Sequence, residues 1–224
     1  MPTALIVFGG WEGHYPRQVA EVFRAALAQE GFTVKTTGSL DPLADLPQLL
    51  TLDLLVPVWT MGKLNGEQSA GISQAVQQGV GLAGCHGGMC DAFRENSEWQ
   101  FMTGGQFVAH PGNSLNYTVH ITDKTHAITR DIKDFQVTSE QYYLHVDPAI
   151  KVLATTRFPT PGADGPHTPN GAVDMPVLWT KLWGQGRVFY SSIGHDDKVV
   201  SQEPHLTLMR RGFQWAARST RKSA

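Results

Sequence analysis

The chain has 224 residues, 41% of them hydrophobic, and carries 18 basic against 20 acidic side chains for a formal net charge of -2. That length fits one large domain with its own core, and the charge balance, with no like-charged block beyond the short tail Arg218 to Lys222, argues against nucleic acid as a partner. No stretch approaches the roughly 20 apolar residues of a membrane span, and the only cysteines are Cys85 and Cys90, so neither a membrane protein nor a secreted disulfide scaffold is expected.

Thr3 to Gly10 is an apolar run ending in two glycines and reads as a first strand; it starts without a secretory leader, which makes the cytoplasm the expected location. Pro16 to Gly31 follows as a helix, with Val19, Val22, Phe23, Ala26 and Leu27 at helical spacing and Gly31 as its stop. Phe32 to Thr37 alternates as a second strand. Asp41-Pro42 suits a helix start, so a short helix is expected over Leu43 to Leu50, limited by Pro47. Asp53 to Trp59 reads as a third, buried strand, Gln68 to Gln78 as a helix, and Val80 to Cys85 as a fourth strand. Alternation of this kind, with near-continuous apolar strands, predicts an α/β fold: a mainly parallel sheet with helices on both faces.

The second half is less regular. Leu115 to Ile121, Phe135 to Thr138, Val152 to Thr156, Val177 to Trp183 and Arg187 to Ile193 read as strands, and Pro204 to Arg218 as a closing helix. Residues 159 to 175, rich in Pro, Gly and Asp, form a long loop able to fold over a ligand. No internal repeat or linker interrupts the chain.

In a parallel sheet the loops after the strand C-termini share one edge and build the site. Here they are Gly9 to His14, Trp59 to Lys63 and Gly84 to Gly88. The last is a sharp strand-to-helix turn of the type that displays one side chain, and Cys85 and His86 compete for that place. A displayed Cys85 implies a thiol enzyme; a displayed His86 removes thiol chemistry.

Nine histidines are present. His14, His86, His110, His126 and His195 fall in turn-like contexts, and several facing one cleft would suit proton transfer or metal binding. His120, His126, His167 and His205 are expected to be ordinary surface residues. No H-x-H or H-E-x-x-H spacing occurs, so a metal could be held only by distant ligands. No cofactor is therefore expected, with a divalent metal such as zinc left open.

Five segments in order resemble the ThuA-like, or trehalose-utilisation, family: Val80-Gly-Leu-Ala-Gly-Cys-His-Gly-Gly, Gly104-Gly-Gln-Phe-Val-Ala-His-Pro, Asp123-Lys-Thr-His-Ala-Ile, Glu140-Gln-Tyr, and Pro176-Val-Leu-Trp followed by Gly186-Arg-Val-Phe-Tyr-Ser-Ser-Ile-Gly-His. The similarity spans nearly the whole chain, and it departs from the family at Ala127, where His-Pro is usual. It implies a single domain over residues 1–224 with a class I glutamine-amidotransferase-like, flavodoxin-like sheet and added antiparallel strands. The amidotransferase elbow G-x-C-x-G falls on Gly84-Cys85-His86-Gly87-Gly88, which gives the nucleophile position to His86 and points Cys85 into packing. Imidazole is a poor replacement for a thiolate, so no glutaminase activity is expected.

The candidate catalytic residues are His86, His110, Glu140 and His195. Glu140 can fix an imidazole tautomer; its ordinary alternative is a surface carboxylate or a partner of Arg157 or Arg187. Asp196 and Asp197 beside His195 would by themselves only cap a turn. Trp11, His14, Trp59, Asp91 and Tyr142 are the candidate substrate contacts, and Trp11, Trp59 and Trp99 offer flat rings for stacking on a sugar. The family resemblance points to carbohydrate metabolism and to a disaccharide oxidised to a keto form. A histidine or glutamate could remove the acidified proton beside that carbonyl, leading to isomerisation, elimination or hydrolysis. Two alternatives stand beside this: a non-catalytic sugar-binding protein that serves a partner sugar dehydrogenase, and a metal-dependent hydrolase. An exposed apolar helix face would permit a homodimer.

Overall fold

A computed structural model describes residues 1–218. In β1 (Thr3–Gly10), Ala4 and Ile6 face one side of the sheet while Leu5 and Val7 face the other, and all four are buried. That double burial is why the run is continuously apolar. β2 (Thr33–Thr37) lies outside it, and β3 (Leu54–Thr60) and β4 (Gly81–Cys85) follow on the inner side, all parallel.

The helices between these strands obey local rules. α1 (Pro16–Gln29) opens on a proline, whose fixed φ suits a first helical position, and turns Val19, Phe23, Ala26 and Leu27 inward. α3 (Gly66–Gln77) opens on a reciprocal capping box between Asn65 and Gln68. The helix expected over Leu43 to Leu50 is broken in two: one 3-10 turn spans Asp41–Ala44, and α2 (Leu46–Leu49) starts afresh where the Asp45 carboxylate accepts from the Gln48 N–H. A second cap inside the segment therefore outcompetes one continuous helix.

Beyond β4 come α4 (Gly87–Cys90), α5 (Ser97–Thr103), β5 (Gly105–Ala109), β6 (Ser114–Ile121), β7 (Phe135–Glu140), β8 (Tyr143–Val146), β9 (Lys151–Phe158), β10 (Val173–Trp183), β11 (Gly186–Ser191), α6 (Asp197–Val200) and α7 (His205–Ala216). Nine strands form one sheet in the order β2-β1-β3-β4-β11-β10-β9-β6-β7, and β5 and β8 form a separate antiparallel pair. β11 is parallel to β4, and from β10 outward every neighbour is antiparallel. β7 therefore runs in the same direction as β1, β3, β4 and β11, and their C-terminal ends lie along one edge.

The sheet curls. In a flat sheet β7 would stand about 24 Å from β4, five spacings away, yet Glu140 at the end of β7 touches His86 at the end of β4. Register shifts where β10 pairs with β9, between Pro176 and Leu178 and between Leu178 and Trp179, bend the ladder. Tyr117, Val119 and Val137 of the outer strands consequently pack in the same core as Phe23 of α1 and Phe213 of α7. The opposite face buries Ile72 and Val76 of α3 with Trp99 and Met102 of α5.

The irregular segment after β9 ends at Val173, where β10 begins, and its Ala163 is buried. Of the tail expected to be solvated, Arg218 is held by the carbonyls of Asp53 and Leu50, and the rest of Arg218 to Lys222 lies outside the described residues. No described helix is long and apolar enough to cross a membrane.

Candidate functional site

Five strand ends deliver titratable groups to one place: His14 follows β1, His86 follows β4, His110 follows β5, Glu140 closes β7 and His195 follows β11, while Thr60, which closes β3, stands beside His14. His86 sits at the elbow with φ 50 and ψ -138. Such a backbone is strained for a residue with a Cβ, and strain of this kind collects at functional sites. The neighbouring glycines make room: a Cβ on Gly87 would come within 2.5 Å of His14 Nδ1, and one on Gly194 within 2.3 Å of His86 Cβ.

The Glu140 carboxylate is the hub. Its Oε2 lies 3.0 Å from His86 Nε2 and 3.8 Å from His14 Nε2, and its Oε1 lies 3.4 Å from His195 Nδ1 and 3.7 Å from His110 Nε2. Burial alone would push this carboxyl up, but the surrounding imidazoles of His14, His195 and His86 outweigh it and hold the group well below the usual carboxylate range. The carboxylate in turn raises His195. His86 is buried so thoroughly that its pKa falls to about 4 despite Glu140.

Outside the hub, His86 Nδ1 lies 2.9 Å from the Ser192 carbonyl and His14 Nδ1 lies 2.9 Å from Thr60 Oγ1. Tyr142 stacks on the His86 ring at 3.9 Å, and the exposed Trp11 meets His14 edge-on at 4.8 Å. His110 and His195 keep 33% and 31% of their side-chain surface exposed, so they and Trp11 are the parts of the cluster that reach solvent.

The structure thus gathers His14, His86, His110, Glu140 and His195, with Trp11 and Tyr142 as walls. It keeps three expected residues apart. Trp59 points to the opposite face of β3 from Thr60, packing against Gly9 and Gly62 and the α3-side core. Asp91 spends both carboxylate oxygens on Arg94. Trp99 is core, with its Nε1 donating to the Met89 carbonyl. Cys85 is buried and its thiol is pushed up to about 12, while His205, expected at the surface, is buried at the start of α7 and bonded to Ser191.

Thr60 is the residue that sequence reasoning overlooked. The alternation of β3 contains the signal: Val56, Val58 and Thr60 share the face that looks toward α1 and His14, and Trp59 does not.

A five-stranded parallel half with an antiparallel extension, and a site along its C-terminal edge, defines a flavodoxin-like α/β protein. The chain belongs to the ThuA family, described as trehalose utilisation, whose model matches residues 3–216. In fold it is similar to a ThuA-like protein from Parabacteroides merdae (TM-score 0.77, 18% identity, 100% of this chain and 93% of that one) and to another from Bacteroides uniformis (TM-score 0.74, 18% identity, 96% and 91%). It is also similar to a protein from Salmonella typhimurium described as cytoplasmic (TM-score 0.66, 13% identity, 97% and 100%). No curated protein matches it by sequence. Membership in this family places the chain in carbohydrate metabolism.

Proposed function

We propose that this protein is an acid-base enzyme acting on a disaccharide in its keto form, removing the proton on the ring carbon beside the carbonyl. The observation that carries the proposal is the convergence of four imidazoles on one buried carboxylate, at the elbow where a thiol enzyme would hold its nucleophile. Imidazole is the usual side chain for such proton transfer, and the scheme requires no nicotinamide or thiol.

His110 is the base in this scheme, because its Nε2 borders the hub while its ring stays open to solvent. It takes the C–H proton, and the bonding pair moves into the ring to form an enolate on the former carbonyl oxygen. Transfer of the neighbouring hydroxyl proton to the enolate oxygen, with return of the proton from His110 to the former carbonyl carbon, completes isomerisation. Alternatively, the carbonyl re-forms while a double bond forms between the deprotonated carbon and the anomeric carbon, the glycosidic C–O bond breaks, and the departing oxygen takes the proton back from His110 to leave as the second sugar. His195, raised by its contact with Glu140, can carry positive charge that offsets the charge developing on the enolate, and Trp11 offers its exposed ring to an apolar sugar face.

The deciding experiment is NMR in deuterated water with trehalose and with its 3-keto derivative. Exchange or cleavage of the keto sugar that falls at least ~100-fold in His110→Ala, the usual weight of a lost acid-base group, supports the proposal. Ligand broadening with no exchange in the wild type overturns it in favour of a sugar-binding protein that serves a dehydrogenase.

A further inference from the structure

The hub contains a contact that a carboxylate and neutral imidazoles cannot satisfy alone. The Ser192 carbonyl can only accept, so the His86 Nδ1 that faces it at 2.9 Å carries the hydrogen. In a neutral ring Nε2 is then a bare lone pair, and it points at Glu140 Oε2 from 3.0 Å. His14 has Nδ1 on Thr60 Oγ1, a hydroxyl that can donate as well as accept, and turns its Nε2 toward the same carboxylate oxygen, so a tautomer with a bare Nε2 is open to this ring too. His195 Nδ1 is enclosed and has no aligned hydrogen-bond partner, although Glu140 Oε1 is 3.4 Å away.

Three nitrogens and a carboxylate oxygen, all within 4.8 Å of one another, thus face a common point. A tetrahedral ion with bonds of about 2.1 Å holds its ligands about 3.4 Å apart; His86 and His14 lie 3.0 and 3.8 Å from Glu140 Oε2, on either side of that value, and His195 lies 3.4 Å from the other oxygen of the same carboxylate. Imidazoles anchored through their outer nitrogens are the usual surroundings of a bound metal. Nitrogen-rich donor sets favour zinc and its first-row neighbours over magnesium or calcium.

We propose that His14, His86, His195 and Glu140 form a binding site for one divalent transition-metal ion of the zinc class. The four ligands come from segments after β1, β4 and β11 and from β7 itself, so no short spacing motif announces them. His110 lies outside the set and remains the base, while the ion takes over the charge that protons on the imidazoles would otherwise supply. The site does not depend on the sugar assignment.

The test starts with elemental analysis of protein purified without added metal, followed by chelation and titration with zinc and with cobalt(II). About one equivalent of metal, a visible cobalt absorption and a zinc-dependent rise in thermal midpoint are expected. His86→Ala and the partly exposed His195→Asn should each lose the cobalt signal, and Thr60→Val, which frees the outer nitrogen of His14, should weaken zinc ~10–100-fold. His110→Ala should bind metal normally while losing proton exchange, which separates failure of the catalytic proposal from failure of the site. A folded wild type with no bound metal, no cobalt absorption and the same midpoint with and without zinc overturns the site in favour of a His86 cation paired with Glu140.

Discussion

At the elbow, the step of one residue between Cys85 and His86 separates a core side chain from a displayed one. Cys85 is one position short of display, in the core that also holds Ala83 and Phe189, and burial holds its thiol protonated up to about 12. Iodoacetamide at pH 8 should therefore leave Cys85 unmodified in the folded protein and label it once urea unfolds the chain, as read by intact mass. Rapid labelling of the native protein would contradict this. His205 carries a second residue-scale consequence, because burial lowers it to about 4. Between the unfolded value near 6.5 and that folded value the unfolded chain binds the extra proton, so stability falls as pH drops through this window, by roughly 3 kcal/mol when complete. Urea midpoints at pH 7 and pH 5 should show the fall in the wild type and a smaller one in His205→Gln.

The elements differ in how plainly their residues announce them. β1, β3 and β4 are apolar runs because both faces are covered, and α1 shows its inward stripe directly. β5, β8 and α5 were not legible: the strands have five and four residues, α5 has seven, and each is held by distant neighbours. Asn96, which caps α5 through the Trp99 N–H, was the one local signal available for it. The candidate histidines could be suspected from their turn contexts, but their meeting at Glu140 could not, since it depends on the curl of the outer strands. Trp59 and Asp91 show the converse error, in which a chemically suitable residue in the right loop faces the wrong way.

An ion pair ties the unpredicted elements to the main sheet. Lys181 of β10 reaches Asp147, just past β8, and the Phe101 carbonyl of α5, and both charged side chains are largely buried, at 6% and 14% exposure. Asp147→Asn leaves that ammonium without its counter-charge and is expected to cost about 3–5 kcal/mol in urea unfolding. A loss below ~1 kcal/mol would mean that solvent reaches the pair. The Lys181 ammonium also holds the Asp147 carboxyl below its ordinary range; its stabilisation is therefore present above the unfolded carboxylate pKa and is lost as pH falls through the lower folded value.

At the scale of the whole molecule, the feature with the widest reach is the insertion of β11 between β4 and β10. β4 ends at Cys85 and β11 starts at Gly186, so the middle of the sheet joins segments about 100 residues apart. A chain cut after Gln185 keeps β4 with an open, apolar edge of the kind that recruits other strands. It is expected to aggregate, which light scattering would register, whereas a soluble monomer would show that the first half closes by itself. The same order of strands acts during synthesis. At roughly 5–20 residues per second, the β4 edge waits about 5 to 20 seconds for its neighbour to leave the ribosome. Until then His86 lacks the Ser192 carbonyl that orients it, so the nascent chain must be shielded along a surface that the finished protein never exposes.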